Sequence, residues 1–224
     1  MIKAVFFDMN ETLLNLSLLK TQFDKHFNDK YVLKYWFTKL LYSSSIMGVM
    51  GEYRNFSVLA DAALENLFFE NNKILNAKTK AEILGEFKKL PAYKDVLPAI
   101  NILRENNIRV IAVSNSSLEM MKEQLTNSGI IDKFDSFYSV DSVKKYKPFK
   151  DIYQSSAEQE GLKTENIMMI ATHDWDLFGA KKAGLNTAYI KRKEEIYNPY
   201  YLQADFKDTN LKDLIQQIIE SKNM

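Results

Sequence analysis

The chain has 224 residues, 46% of them hydrophobic, with 30 Lys and Arg against 29 Asp and Glu, a formal net charge of +1 and no cysteine. That is enough chain for one large domain, or a domain carrying an inserted subdomain, with an ordinary globular core. Balanced charge lacks the footprint of a nucleic-acid binder, missing cysteines exclude disulfides, thiolate metal sites and cysteine nucleophiles, and no apolar run is long enough to span a bilayer.

Met1-Ile2-Lys3 leads into Ala4-Val5-Phe6-Phe7 rather than into a signal peptide, and the expectation is a soluble, cytoplasmic protein without a nucleic-acid or membrane partner. Ala4 to Phe7 has the continuous apolar character of a buried parallel strand, and it stops at Asp8. From about Leu16 to Leu90 the period is helical: Leu18, Leu19, Phe23 and Phe27, then Trp36, Leu40 and Leu41, then Leu59, Ala63, Leu64 and Leu67. The segment Met47 to Gly51 reads as a break between helices. This predicts a helical cap over residues 15–90, inserted into an α/β core of 1–14 and 91–224. After Pro91 strands and helices alternate. Val110 to Val113 is a strand ending at Ser114-Asn115. Ser116 to Glu119 has capping-box spacing and predicts a helix closed by Gly129. Phe137 to Val140 is a short strand, and Tyr146-Lys147-Pro148 leads into a helix carrying Ile152 and Tyr153. Ile167 to Ile170 is another strand, followed by an acidic loop, Thr172 to Asp176. A helix ending at Gly184, the strand Thr187 to Ile190 and an amphipathic helix from Leu211 to Ile219 complete the chain. The alternation predicts an α/β fold, a Rossmannoid doubly wound parallel sheet with an inserted α-helical cap. Lys144-Lys145 and Lys191-Arg192-Lys193 read as solvated faces.

Three strands thus end in polar clusters at Asp8, at Ser114-Asn115 and at Thr172 to Asp176. In a parallel sheet those ends share one edge, where open α/β sheets bind their ligands. Asp8 is the expected nucleophile, and Lys147 the cation that keeps it ionised. The two histidines, His26 and His173, are too few and too far apart for a histidine-based metal site.

Asp8 after a strand, Ser114-Asn115 after a second, Lys147 before Pro148 and an acidic loop ending at Asp176 together resemble the haloacid dehalogenase superfamily of hydrolases. Tyr146-Lys147-Pro148 with Tyr153, Trp175-Asp176, and Phe56 near Arg54 resemble its type II, or L-2-haloacid dehalogenase, branch. The resemblance implies that Asp8 displaces halide from a small 2-haloalkanoic acid to leave an ester on the enzyme. Lys147 would hold Asp8 charged, and Ser114 with Asn115 would bind the substrate carboxylate. Asp176 would orient Lys147 and the hydrolytic water, and Thr12 would hydrogen-bond within the Asp8 loop. Trp175, Tyr153 and Phe56 would form an apolar wall, with Asn10 and Phe37 also facing substrate. No cofactor is implied, and homodimers are common in the branch.

This chain departs from the superfamily's phosphatases, which carry an Asp where Asn10 stands and a magnesium-binding acid where Thr172 stands. Both changes speak against metal-dependent phosphoryl transfer, and halide, as a leaving group, needs no acid. It also departs from well-studied type II enzymes, which place an aromatic residue at Asn10, an Asn at His173 and a halide-gripping Arg at Phe37. A subgroup with Asp-x-Asn-Glu-Thr-Leu, Trp-Phe on the cap and His-Asp-Trp-Asp is similar throughout. His173 is either a base for ester hydrolysis, its tautomer set by Asp174 or Asp176, or a hydrogen-bonded loop histidine. Two alternative functions stay open: a magnesium-dependent phosphatase using Asp8 and Asp174, and a small-anion-binding protein that has lost turnover.

Overall fold

Ala4–Phe7, all buried, form strand β1 at the centre of a six-stranded parallel sheet in the computed structural model, which describes residues 1–221. The strands β2 (Arg109–Ser114), β3 (Ser136–Ser139), β4 (Ile167–Ala171), β5 (Asn186–Ile190) and β6 (Phe206–Asp208) are arranged β3-β2-β1-β4-β5-β6. Strand order runs outward from β1 in one direction, then restarts at β4 on its other side. The reversal leaves a crevice at the carboxyl ends of β1 and β4, the position that ligands use in open sheets. Asp8 follows β1 there, its amide donating to the Ile170 carbonyl at 3.0 Å. Helices α5 (Val96–Glu105), α6 (Leu118–Asn127), α7 (Lys150–Gln159), α8 (Asp174–Lys182) and α9 (Leu211–Glu220) flank the sheet, α5 packing on α9 and α7 on α8.

Between β1 and α5 the chain leaves the sheet at Leu14 and returns at Ala92, and the two residues pair in an isolated antiparallel bridge. The excursion holds α1 (Ser17–Asp24), α2 (Val32–Val49), α3 (Phe56–Glu70) and α4 (Ala77–Glu86). Trp36, Leu40, Leu64 and Leu67 meet at its centre, all but fully buried. Residues 222–224, the end of the predicted core, lie outside the described residues.

Several local expectations are corrected. The break expected over Met47 to Gly51 falls at its far end, where α2 stops at Val49 and the chain reverses at Gly51, with φ +75°; Gly48 itself lies inside α2, where a Cβ would stand 2.3 Å from the Phe149 ring. The α6 cap is Ser117, whose side chain accepts from the Met120 amide, because Ser116 is drawn toward Asn10. Asp174 to Asp176 are no loop but the first turn of α8, where acidic residues meet the positive end of the helix dipole. Val140 leaves the β3 strand for a 3-10 turn. Strand β6 was not predicted, being three residues long with Phe206 its one apolar residue. Among the described residues no helix is long and apolar enough to cross a membrane.

Candidate active site

The loop that carries Asp8 is built by a reversal at Glu11, whose φ of 64° is unusual for a side chain with a Cβ. The reversal lets Thr12 face back on Asp8: its Oγ1 donates to Asp8 Oδ2 at 2.6 Å and accepts from the Thr172 amide at 2.9 Å. One threonine hydroxyl therefore fixes the carboxylate and ties the ends of β1 and β4 together.

Lys147 reaches the same carboxylate from the turn before α7. Its Nζ donates to Asp8 Oδ1 at 2.8 Å, to Asp176 Oδ2 at 2.6 Å and to the Val113 carbonyl at 3.0 Å, which uses all three ammonium hydrogens. Its backbone amide donates to Asn115 Oδ1 at 2.8 Å. Burial alone would push Asp8 up; the Lys147 ammonium and the His173 ring outweigh it and hold the carboxyl well below the usual carboxylate range. Burial would likewise lower Lys147, but Asp176 and Asp8 keep it above the ordinary lysine value. Both partners stay charged although both are buried.

Tyr153 does not stand on the pocket wall. It is fully buried behind Asp176, donating to the Asp176 carboxylate and lying 3.1 Å from the Asp176 carbonyl. Burial and the adjacent Asp176 raise its hydroxyl well above the ordinary value, so it remains a donor.

His173 sits between two carboxylates, but not the two expected from the sequence. Nδ1 lies 3.1 Å from Asp8 Oδ2, and Nε2 lies 3.0 Å from Glu11 Oε2. Burial lowers its pKa, yet the hydrogen bonds and charges of Asp8 and Glu11 win and raise it to about 9. At neutral pH the ring is an imidazolium donating from both nitrogens. Its faces are covered: Trp175 stacks on it at 5.2 Å between centroids, and the Phe37 ring is 6.2 Å away.

The cavity beside Asp8 measures about 20 Å³ and is walled by Asn10, Ser114, Asn115, Lys147 and His173, with Phe37, Leu41, Phe56 and Trp175 closing it from the cap side and from α8. Thr12, Asp176 and Tyr153 are the predicted residues that do not line it; they lie behind Asp8 and Lys147. Asn10 Oδ1 accepts from the fully buried Gln124 at 3.1 Å, and Asn10 Nδ2 is 3.4 Å from Ser116 Oγ.

Glu11, Lys193 and Arg192 belong to the site although the sequence did not single them out. Glu11 is paired with Lys193 as well as with His173. Arg192 corrects the expectation of a solvated basic cluster: it is buried, donating from Nε to the Thr12 carbonyl at 3.1 Å and from Nη1 to Asp95 Oδ2 at 2.7 Å, over the face of Tyr93. Glu11 was legible as an acid flanked by two motif residues. Nothing in the sequence marks Arg192, whose burial is made by segments far apart in the chain.

The donor set does not fit magnesium well. Asp174 Oδ1 accepts from the Trp175 amide at 2.7 Å and Oδ2 from the Asn198 amide at 2.9 Å, so both oxygens are engaged with backbone. Position 172 offers a hydroxyl, and the His173 imidazolium occupies the free side of Asp8.

A family model for haloacid dehalogenase-like hydrolases matches residues 2–184. The (S)-2-haloacid dehalogenase of Pseudomonas sp. strain YL is 24% identical over 217 residues, covering 96% of this chain and 94% of that one. Haloacetate dehalogenase H-2 of Moraxella sp. strain B is 28% identical over 193 residues, covering 85% and 86%. Among solved structures, the L-2-haloacid dehalogenase of Xanthobacter autotrophicus with chloropropionic acid covalently bound superposes with a TM-score of 0.90 at 22% identity, over 98% of this chain and 99% of that one. At that identity the superposition establishes a shared fold.

Proposed function

The chain belongs to the haloacid dehalogenase-like hydrolases, and within that family we propose that it cleaves the carbon–halogen bond of small 2-haloalkanoic acids through an ester on Asp8. The observation that carries this reading is a buried carboxylate kept ionised by an ammonium 2.8 Å away, in a pocket walled by aromatic rings. A desolvated, permanently charged carboxylate is suited to displacement at carbon. Curated relatives over most of the chain length are named as dehalogenases of haloacids. Residues 15–90 act as the cap and the remainder as the α/β core.

In the first step an Asp8 oxygen forms a bond to the halogen-bearing carbon while the carbon–halogen bond breaks, its electron pair leaving on the halide. Ser114 and Asn115 hold the substrate carboxylate, and Asp176, itself held by Tyr153, keeps Lys147 aimed at Asp8. Phe37 supplies no charge to the departing halide. The His173 imidazolium beside it does, taking the part that a guanidinium would otherwise play. In the second step water attacks the ester carbonyl, the acyl carbon–oxygen bond breaks, and a 2-hydroxy acid leaves. Esterification removes the Asp8 charge that helped to raise His173. Its pKa falls, the Nδ1 proton passes to solvent, Glu11 still accepts from Nε2, and the bare Nδ1 takes the attacking water's proton. His173 thus acts as a cation first and a base second, with Glu11 in the orienting role.

The test is halide release from each enantiomer of 2-chloropropanoate in the presence of a chelator. Release from one enantiomer, lost in Asp8→Asn, is the expected result. Release unaffected by that substitution, or turnover only of phosphate esters with added magnesium, would overturn the proposal.

A further inference from the structure

A second cavity lies directly behind Phe56. It measures about 60 Å³, several times the minimum that one water needs. Trp36, Leu40, Ala60 and Leu84 line it from the cap helices, Phe87 from the returning linker, and Met120 with Ser116 and Ser117 from the start of α6. The Phe56 ring is wall to both this cavity and the one beside Asp8. The few polar atoms around it already have partners: Trp36 Nε1 donates to the Ala60 carbonyl at 3.1 Å, Ser117 caps α6, and Ser116 Oγ is near Asn10. The pocket opens toward solvent beside Ser57, but its lining is almost wholly apolar and leaves no unsatisfied donor to hold water, so it favours hydrocarbon.

The cavity beside Asp8, at about 20 Å³, has room for little more than one water, so most of a bound acid must extend beyond it. On the opposite side, past Phe37, His173 and Trp175, it meets a wider cleft of about 340 Å³ lined by Lys20, Lys30, Lys34 and Lys193 together with Glu11 and Glu195, which pair with Lys193 and Lys34, while Lys20 pairs with Asp24; cations outnumber carboxylates on its walls. A carboxylate or halide suits that basic cleft; a methylene chain does not. The geometry points to a division of labour, in which the basic cleft admits and releases anions and the cavity behind Phe56 receives the alkyl chain of the acid. We propose that this annex makes the site selective for straight-chain 2-haloalkanoic acids longer than propanoate, with Phe56 as the gate between reacting centre and chain. The substrate class rests on the dehalogenase reading above; the annex itself is testable without turnover.

Affinity for unhalogenated straight-chain acids, from propanoate to octanoate, is measured by titration calorimetry and by quenching of Trp36 fluorescence. Each methylene entering an apolar site is worth about 0.8 kcal/mol, a factor of about four. Kd is expected to fall about fourfold per carbon for the first two or so added carbons and then to level off. Ala60→Leu, which fills the annex, abolishes the gradient while leaving the propanoate Kd unchanged. Leu84→Ala, which enlarges it, carries the gradient to longer chains and serves alone if the first variant does not fold. A Kd independent of chain length in the parent, or a gradient that survives Ala60→Leu, overturns the annex. Halide release from 2-chloropropanoate, run alongside, reports separately on the reaction: its absence sinks the dehalogenase reading and leaves the binding gradient to decide the annex.

Discussion

A histidine whose two ring nitrogens face Asp8 and Glu11 links the stability of the fold to the chemistry of the site. Its pKa is raised from 6.5 to about 9. The stabilisation is therefore complete below pH 6.5 and is lost as pH climbs through 9, amounting to about 3 kcal/mol at most. The melting temperature of the parent should decline between pH 7 and 10, and His173→Asn, with no proton to lose, should show a flatter profile. If His173 also serves as base, the same variant mixed with 2-chloropropanoate should accumulate alkylated enzyme visible by intact mass. Tyr153→Phe separates a supporting role from a wall role. Removing its hydroxyl leaves the buried Asp176 short of a donor, at a cost of about 1–3 kcal/mol in stability. Thermal unfolding should register that loss, and kinetics should show lower kcat with KM nearly constant. A rise in KM alone would put Tyr153 back against the substrate.

Two helices approach the Lys147 turn through glycine. On α8, a Cβ at Gly179 would stand 2.3 Å from the Pro148 carbonyl oxygen and 2.5 Å from its Cβ; on α2, one at Gly48 would strike the Phe149 ring. Pro148 and Phe149 are thereby pinned between a core helix and a cap helix, immediately beyond the residue that charges Asp8. Gly179→Ala cannot be relieved by a side-chain rotation, because the obstacle is backbone. We expect a loss of about 1–3 kcal/mol in stability, and a displaced Lys147, seen as at least tenfold lower kcat/KM. Gly48→Ala meets only a ring edge and should cost less. None of this was visible in the sequence, where Gly48 was one residue of a segment expected to separate two helices and Gly179 went unremarked. A glycine required for close approach looks the same on paper as one required for a turn. The elements themselves were legible for a definite reason: strands covered on both faces are uninterrupted apolar runs, and β1, β2 and β4 have that form.

At the scale of the molecule, the sequence disclosed the edge at which the polar clusters meet, because parallel strands place their carboxyl ends together whatever their separation along the chain. It pointed to Asp8 and Ser114 for the same reason, and to Lys147 because a carboxylate that must stay ionised needs a cation beside it. It did not disclose which acid would face His173, nor that the Arg192 side chain would pack against Thr12 and Asp95, since both depend on how the segment after β5 folds back over the Asp8 loop. The central place of β1 in the sheet has a further consequence, which concerns the chain while it is being made. Ala4 pairs with Arg109 on one side and with Ile167 on the other, so the strand that carries Asp8 is synthesised long before either neighbour. At roughly 5–20 residues per second, its second partner follows after about ten seconds or more. Throughout that interval the nascent polypeptide holds four apolar residues without a sheet to bury them, and the helices of residues 17–86 emerge first. The Asp8 carboxylate, ionised from the start at neutral pH, thus waits for Lys147 and His173, and for the pocket they wall with it, until well over a hundred further residues have been made.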